Sequence, residues 1–415
     1  MKLLQWLKKI SRTNRSVALF FPPGQGISTR TDYSSQANEG YIRNSVVHAC
    51  IREIAGAAAG VPWLLYSRTP DGRLVEITGH PLLTLLARPN PMHGKFEFIE
   101  TLFAYLYLSG NSYIECVGAT SIGDHQPPGH QRPQVTPPRE LYVLRPDRIK
   151  ILPDPVELVA GYEYRAGGRA VTFPREQILH LKLFNPLDDF YGLSPVQVAA
   201  MAIDKLNEGD KWNVSLLQNA AVPTGALISN QRLGDEQFNR LLGQFQDKYQ
   251  GASNARRPLL LEDGLDWKEL GVSPKDMDWI EGHKLSALQI AQIYNMPAEL
   301  IGIVSATHQN RKEARKALYT EVVLPVLYRL RDAFNNWLTP RFGANLSLDF
   351  NTDKIEAMSE DRDSLWERVS KSDFLTVNEK RDLVGYEAIN GGDVVMVPST
   401  MSPLGSASSV LPKIP

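Results

Sequence analysis

Apolar and polar positions along this chain follow two rhythms, and their succession sets out the expected elements. From Tyr41 an Ala-rich helix leads to Pro62, and "WLLYS" after it reads as a strand. "HPLLTLLARPNPM" is a short helix stopped by a Pro-flanked turn, followed by an apolar helix around Phe96–Leu108. "GNSYIECVG" and "ELYVLRP" are strands, separated by the Pro-rich "DHQPPGHQRPQVTPP", which cannot continue a sheet. "KILPD", "GYEYRA" and "AVTFP" extend the sheet to about residue 183. The first half is therefore read as an α+β domain.

Two helix starts then use the same device. "GLSPVQVAAM" places Ser194 as N-cap and Pro195 at the first helical position, and "GVSPKDMDWI" repeats this with Ser273 and Pro274. The first helix is expected to reach about Asn219 and the second about Asn295, before Pro297. Between them Val222–Val272 forms a compact insertion, with a strand "GALIS" and a helix carrying Phe238, Leu241, Leu242, Phe245 and Tyr249 on one face. "PLLLE" and "LDWKEL" follow, joined at Asp263-Gly264, a hairpin signal. Two helices bracketing a small module suggest a stalk carrying a tip.

The stretch "IGIVSATHQNRKEARKALYTEVVLPVLYRL" runs from a polar segment into an apolar helix. Tyr319, Val323, Leu327, Leu330, Phe334 and Leu338 form one stripe, and Leu318, Val322, Val326, Ala333 and Trp337 an adjacent one. So wide an apolar face needs cover on more than one side, and Pro325 inside it predicts a kink. Such surplus apolar surface favours an oligomer whose heterologous contacts close a ring. "LSLDFN" is a strand, and "EDRDSLWERVSKSDFLTVNEKRDLVGYEAI" reads as two short helices, with Thr376 or Asn378 capping the second. Residues 12–40, rich in Ser, Thr, Asn, Gly and Pro, read as a mobile arm, and the tail from Gly391 as largely disordered at its end.

Composition changes this picture little but excludes several functions. The chain has 415 residues, 43% apolar, enough for a large core and several subdomains. Lys+Arg 45 against Asp+Glu 46 leaves a net charge of −1, not the basic balance of a protein that grips DNA through many phosphates. Cys50 and Cys116 read as small buried hydrophobes of a reducing cytosol, with a disulfide between them as the alternative. No segment is long enough to span a membrane. "MKLLQWLKKI" lacks the features of a signal peptide and reads as a frayed terminus or a short docking helix, so the chain is expected to be made in the cytoplasm.

The search for chemistry returns negatives. There is no phosphate-binding Gly loop ending in Lys-Ser/Thr, no HExxH, no CxxC and no Gly-x-Ser-x-Gly. "YGLSPV" departs from the last at Val196, so Ser194 is read as a cap. Asp188 and Asp189 read as a solvated turn rather than a metal pair, and His125 and His130 as loop residues rather than ligands. His308 beside Ser305 and Asn310 lacks an acid to orient it, which argues against a nucleophile–base pair. "LTVNEKRDLVGY" has no basic cluster around it, which argues against a helix-turn-helix reader of DNA. No cofactor and no metal site is expected, and the chain is read as non-enzymatic.

Several of these segments, in order, resemble the portal proteins of tailed bacteriophages, of the HK97-like type. They are "HPLLTLLARPNP", "FEFIETLFAYLYLSGNSYIE", "ELYVLRPDRI", "YGLSPVQVA", "VPTGAL", "IAQIYNMPAELIG", "VVLPVLYRL" and "FLTVNEKRDLVGYEAINGGD", spread over about residues 40–400. Each alone is weak; the ordered set is specific. The resemblance implies a ring of twelve copies at one capsid vertex, through which double-stranded DNA is packaged and later ejected. It implies an N-terminal arm at 1–27 and a wing at 28–193, with a further wing strand within 317–354. It implies a stem of helices 194–221 and 273–297 and a clip at 222–272. It also implies a tunnel loop at 298–316, a kinked helix from 317, a crown at 355–395 and a tail at 396–415. The DNA-facing residues would be Ser305, Thr307, His308, Gln309, Asn310, Arg311, Lys312, Arg315 and Lys316, with Pro325 at the kink. Implied partners are the terminase large subunit, the head–tail adaptor, and the major capsid or scaffold protein, in a virion and without a membrane. The loop 121–138 is longer than the family pattern. Two other readings stay open: a capsid-associated binding module that conducts no DNA, and a hydrolase or nuclease with its site near Ser305–Arg315.

Overall fold

The computed structural model describes residues 32–118, 121–122, 134–218, 225–229, 265–269, 279–386 and 388–396, with isolated positions between 234 and 243. The caps Ser273 and Pro274, the Asp263-Gly264 hairpin, the histidines of the Pro-rich loop and the terminal arm and tail lie outside the described residues.

The largest core is built on helix α1 (Ser45–Gly60), helix α2 (Pro81–Ala87) and helix α3 (Lys95–Ser109). Asn44 starts α1, its Oδ1 accepting from the Val47 N–H at 3.1 Å. Gly110, at φ +77°, ends α3 in the left-handed conformation that suits glycine. Val47, Ile51, Ile54, Leu102 and Phe103 are fully buried between α1 and α3. Each such buried side chain contributes roughly 1.5–3 kcal/mol.

The strands form small separate sheets, not the single sheet that the sequence pattern suggests. β1 (Trp63–Arg68) is the centre of one, flanked by β2 (Leu74–Glu76) and by the distant final strand (Leu346–Phe350), antiparallel with Trp63 opposite Phe350. β3 (Asn111–Val117) pairs with two strands on either side, residues 140–144 and 178–182. In chain order β4 (Ser121–Ile122) and β5 (Gln134–Val135) pair with each other, and β6 is Glu140–Leu144. The third sheet is a meander of β7 (Ile149–Asp154), β8 (Leu158–Ala166) and β9 (Arg169–Pro174), and β10 is Ile178–Lys182. The turns at Gly167 and Gly168, both at positive φ, close the last hairpin, and nearly all side chains of β9 are exposed.

After β10, α4 (Pro195–Val198) turns at Ala199 into α5 (Ala200–Gln218), so the helix expected from Pro195 carries a break one turn in. It packs along α6 (Trp279–Ile293), and His283 Nε2 meets Asp210 Oδ1 at 3.0 Å. Between them β11 (Gly225–Ser229) pairs antiparallel with β12 (Leu265–Glu269), so the two ends of the insertion are joined to each other.

The chain before α1 departs from its reading as a mobile arm. Tyr33–Ser35 and a π turn over Gln36–Ile42 are helical, the first lying beside Arg145–Arg148 and the second against α1 and α5. Asn207 of α5 donates to the Glu39 carbonyl at 2.8 Å and accepts from Asn44 Nδ2 at 3.1 Å. Gly40 is needed there, because a Cβ would come within 2.5 Å of Val196.

The last third begins with α7 (His308–Ala317), continues through a π turn (Leu318–Val323) into α8 (Leu324–Trp337), and leads to β13 (Leu346–Phe350). α9 (Ser359–Ser370) and α10 (Val377–Leu383) follow, the latter started by a capping box of Thr376 and Glu379. The ring argument made from the apolar helix fails on this geometry. Leu318, Val323, Leu327, Leu330, Phe334 and Leu338 are each fully buried inside one copy of the chain. Trp63 covers Phe334 at 5.4 Å between ring centroids, and the Asn335 amide bonds both backbone groups of Leu348. Apolar side chains left exposed lie elsewhere, including Met201 and Trp212 on α5 and Ile280 and Leu285 on α6.

Candidate nucleic-acid interface

The polar segment that opens the long helix is shorter as a loop than its sequence suggests. Ser305 lies outside any helix or strand, Thr307 is in extended backbone, and from His308 the chain is helical. Thr307 is the cause: its Oγ1 accepts from the Asn310 N–H at 3.2 Å, and its carbonyl accepts from the Arg311 N–H. His308, Gln309, Asn310, Arg311, Lys312, Arg315 and Lys316 therefore stand on α7 and not on a loop. The run is polar apart from its alanines, and Ala314 is the residue it buries.

The first turns of α7 are exposed, so His308, Gln309, Asn310, Arg311 and Lys312 face solvent around the positive end of the helix dipole. Gln309 donates to Glu313 at 3.4 Å. Arg315 is different. It points to α1, where its guanidinium meets Glu53 at 3.0 Å, and this pair with buried Ala314 and the turn at Glu356–Met358 seats the helix. Ser305, His308 and Asn310 do not converge on one another as a nucleophile, base and orienter would, Asn310 being engaged through its backbone at the cap.

Pro325 does not break the helix. It sits in the first turn of α8, and the turn before it has widened so that the Leu324 N–H reaches the Tyr319 carbonyl, five residues back. Backbone torsions stay right-handed helical through Val323 and Leu324. The extra residue of the π turn makes room for the proline ring against the preceding turn.

Two joints tie the segment entering α4 to the end of α3 and the start of β3. Ser194 caps α4 as expected, accepting from the Gln197 N–H at 3.3 Å, and its hydroxyl also donates to the Leu108 carbonyl at 2.6 Å. Beside it Asn111 is a buried node that sequence reasoning missed. Its Oδ1 accepts from the Gly192 N–H at 2.7 Å and from His180 Nε2 at 3.0 Å. Its Nδ2 donates to the carbonyls of Ser109 and Gly192. His180 stacks on Tyr113 at 4.3 Å, and burial, aided by Lys182, pushes its pKa down from 6.5 to about 3. The neutral ring must carry its proton on Nε2 to satisfy Asn111. Asp188 is a turn residue as read, its carboxylate accepting from the Phe190 and Tyr191 N–H groups. Cys50 and Cys116 are buried and free, and burial pushes Cys50 up to about 12.

Among the described residues no cluster of three or more His, Cys, Asp or Glu is placed to hold a metal, and no helix is long and apolar enough to cross a membrane.

Comparison with known proteins gives this architecture its family. The chain is 39% identical over 366 residues to an uncharacterized protein of Rickettsia felis, covering 86% of this chain and 90% of that one. It is 24% identical over 370 residues to the portal protein of Enterobacteria phage HK97, covering 88% and 83%. Among solved structures, a chain from the neck of a native gene transfer agent particle with C12 symmetry superposes with a TM-score of 0.65 at 37% identity, covering 89% of this chain and 97% of that one. The sequence profile of the phage portal protein family matches residues 45–385, so this chain belongs to the phage portal protein family.

Proposed function

We propose that the chain assembles as a ring at one capsid vertex and forms the channel through which double-stranded DNA is packaged and ejected. The likeness to a chain in the C12 neck of a gene transfer agent particle, at 37% identity over nearly the whole length, carries this reading. In it α7 faces the passing DNA with Arg311 and Lys312, and the segment between α5 and α6 docks the terminase large subunit and later the head–tail adaptor. The outer wing meets the capsid or scaffold protein. The chain itself performs no catalysis; the docked motor hydrolyses the ATP.

Charge supports a channel that conducts and does not hold. A net charge of −1 gives no surplus for many phosphate contacts per copy, which a ring would multiply into immobility. The exposed cations of α7 supply weak, sequence-independent contact instead.

The test is the double variant Arg311→Ala with Lys312→Ala. Rings are expected to assemble as before while packaging falls. Normal packaging by the double variant removes these cations from the channel. The identity to a gene transfer agent chain, 37% against 24% to the HK97 portal, favours a second reading in which the particle is of that type. Sequencing the DNA inside purified particles decides it: host fragments support the second reading, and one repeated viral genome excludes it.

A further inference from the structure

The near-neutral total charge hides a split along the chain. Residues 1–31 hold six basic side chains and no acidic one, which leaves a net −7 on residues 32–415. This segment opens with "MKLLQWLKKI". At about 100° per residue, Leu3, Leu4, Trp6, Leu7 and Ile10 fall within one half of a helical projection, and Lys2 and Lys8 border that half on either side. A phosphate backbone would engage the lysines and leave the apolar half uncovered. The pattern suits a surface that is both apolar and acidic.

Such a surface stands near the other end of the sequence. Residues 359–396 hold nine acidic side chains against five basic ones. Among the described side chains of this stretch, Val369 alone of the large apolar ones is buried. Trp366, Phe374, Leu383, Tyr386, Val394 and Met396 are exposed, Phe374 by 79% and Met396 by 66%. The unit is held together at two points: Trp366 of α9 meets Tyr386 edge-on at 5.8 Å between ring centroids, and the Val377 N–H of α10 donates to the Val394 carbonyl at 3.2 Å. Asp363, Asp373 and Asp382 are exposed in the same unit. Helices of twelve and seven residues with so little buried between them are marginal without further cover.

We propose that residues 1–31 dock on this surface of the chain through the apolar half of residues 3–10, with Lys2, Lys8 and Lys9 beside the carboxylates of Asp363, Asp373 and Asp382. Charge selects this occupant over others. A second copy of 359–396 brings the same net −4 and is repelled. Residues 397–415 carry Lys413 as their one charged side chain and cannot match that charge. Charge also selects this surface over the stem. The exposed apolar residues of α5 and α6 sit on helices with four acidic and three basic side chains, a near balance. Length permits the contact: the described fold begins at Asp32, next to Tyr33 beneath Arg145 at 5.9 Å, and residues 11–31 can span up to about 70 Å. Single ion pairs on a surface are weak, so apolar burial supplies most of the hold and the lysines supply the selectivity. The contact lies within the chain and holds whether or not the portal reading does.

Zero-length carbodiimide coupling of the full-length chain, read by mass spectrometry, tests the contact. Amide links from Lys2, Lys8 or Lys9 to Asp363, Asp373 or Asp382 are expected. Lysines of this segment that couple only to carboxylates outside 359–396, or to none, overturn the proposal. The double variant Leu3→Asp with Leu7→Asp changes no residue of the described core. It is expected to lose these links and to exchange amide hydrogens faster across 362–386, while 324–337 keeps its rate. Unchanged links and exchange in the variant overturn the proposal. So does protection of 362–386 that falls on dilution to the monomer but not in the variant, which would assign the surface to a neighbouring copy.

Discussion

Replacing Asn111 with Ala removes the node that joins α3, β10 and the entry to the stem. Four hydrogen bonds go with it: two accepted, from Gly192 and His180, and two donated, to Ser109 and Gly192. Asn111 is 6% exposed, so water cannot replace the partners without opening the joint. Each lost bond costs about 1 kcal/mol net, and a buried donor left without a partner about 1–3 kcal/mol. The Gly192 N–H and the His180 Nε2–H are the donors at risk, which places the loss at roughly 3–5 kcal/mol once partial relaxation is allowed. The assay is urea unfolding of the full-length chain followed by tryptophan fluorescence, with hydrogen exchange over residues 178–200 as the local readout. Accelerated exchange at Gly192 and Leu193 should accompany the lower midpoint. A loss below about 1 kcal/mol with unchanged local exchange refutes the reasoning, since it would mean that the amide is not a joint but a bystander.

Other expectations follow from single contacts. His180 has its pKa lowered from 6.5 to about 3, so the unfolded chain takes up a proton that the folded one refuses. Stability should therefore fall as pH drops through that window, and His180→Gln, which keeps a donor for Asn111, should flatten this dependence; an identical slope in a urea titration between pH 7 and 4 contradicts it. Gly192→Ala places a Cβ 2.1 Å from the Gly110 carbonyl oxygen, with backbone on both sides, and should reduce soluble yield more than Asn111→Ala does. Thr376→Ala removes one half of a capping box and should cost about 1 kcal/mol, seen as faster exchange confined to α10. Phe334→Ala, in full burial against Trp63, should cost about 3–5 kcal/mol in the same urea assay.

How far the sequence carries the fold depends on whether a feature is periodic. The stripe of Leu327, Leu330, Phe334 and Leu338 was legible from spacing alone, as were the Ser194 cap and the short helices after Phe350. The separate sheets were not, because alternation marks a strand without naming its neighbour. Asn111 and His180 meet across 69 residues, and Asn111 and Gly192 across 81, with no pattern to connect them. The helical state of Arg311 and Lys312 had a local sign in the Thr307 cap, in a run whose buried position is Ala314. The wide apolar face of α8 is spent within the chain, and Met201 on α5 and Ile280 on α6 are among the large apolar side chains left exposed.

Size-resolved mass measurement with negative-stain imaging of the assembled full-length chain tests the central claim most directly. A closed ring with an axial hole is the expected result. A stable monomer with metal-dependent nuclease activity contradicts it.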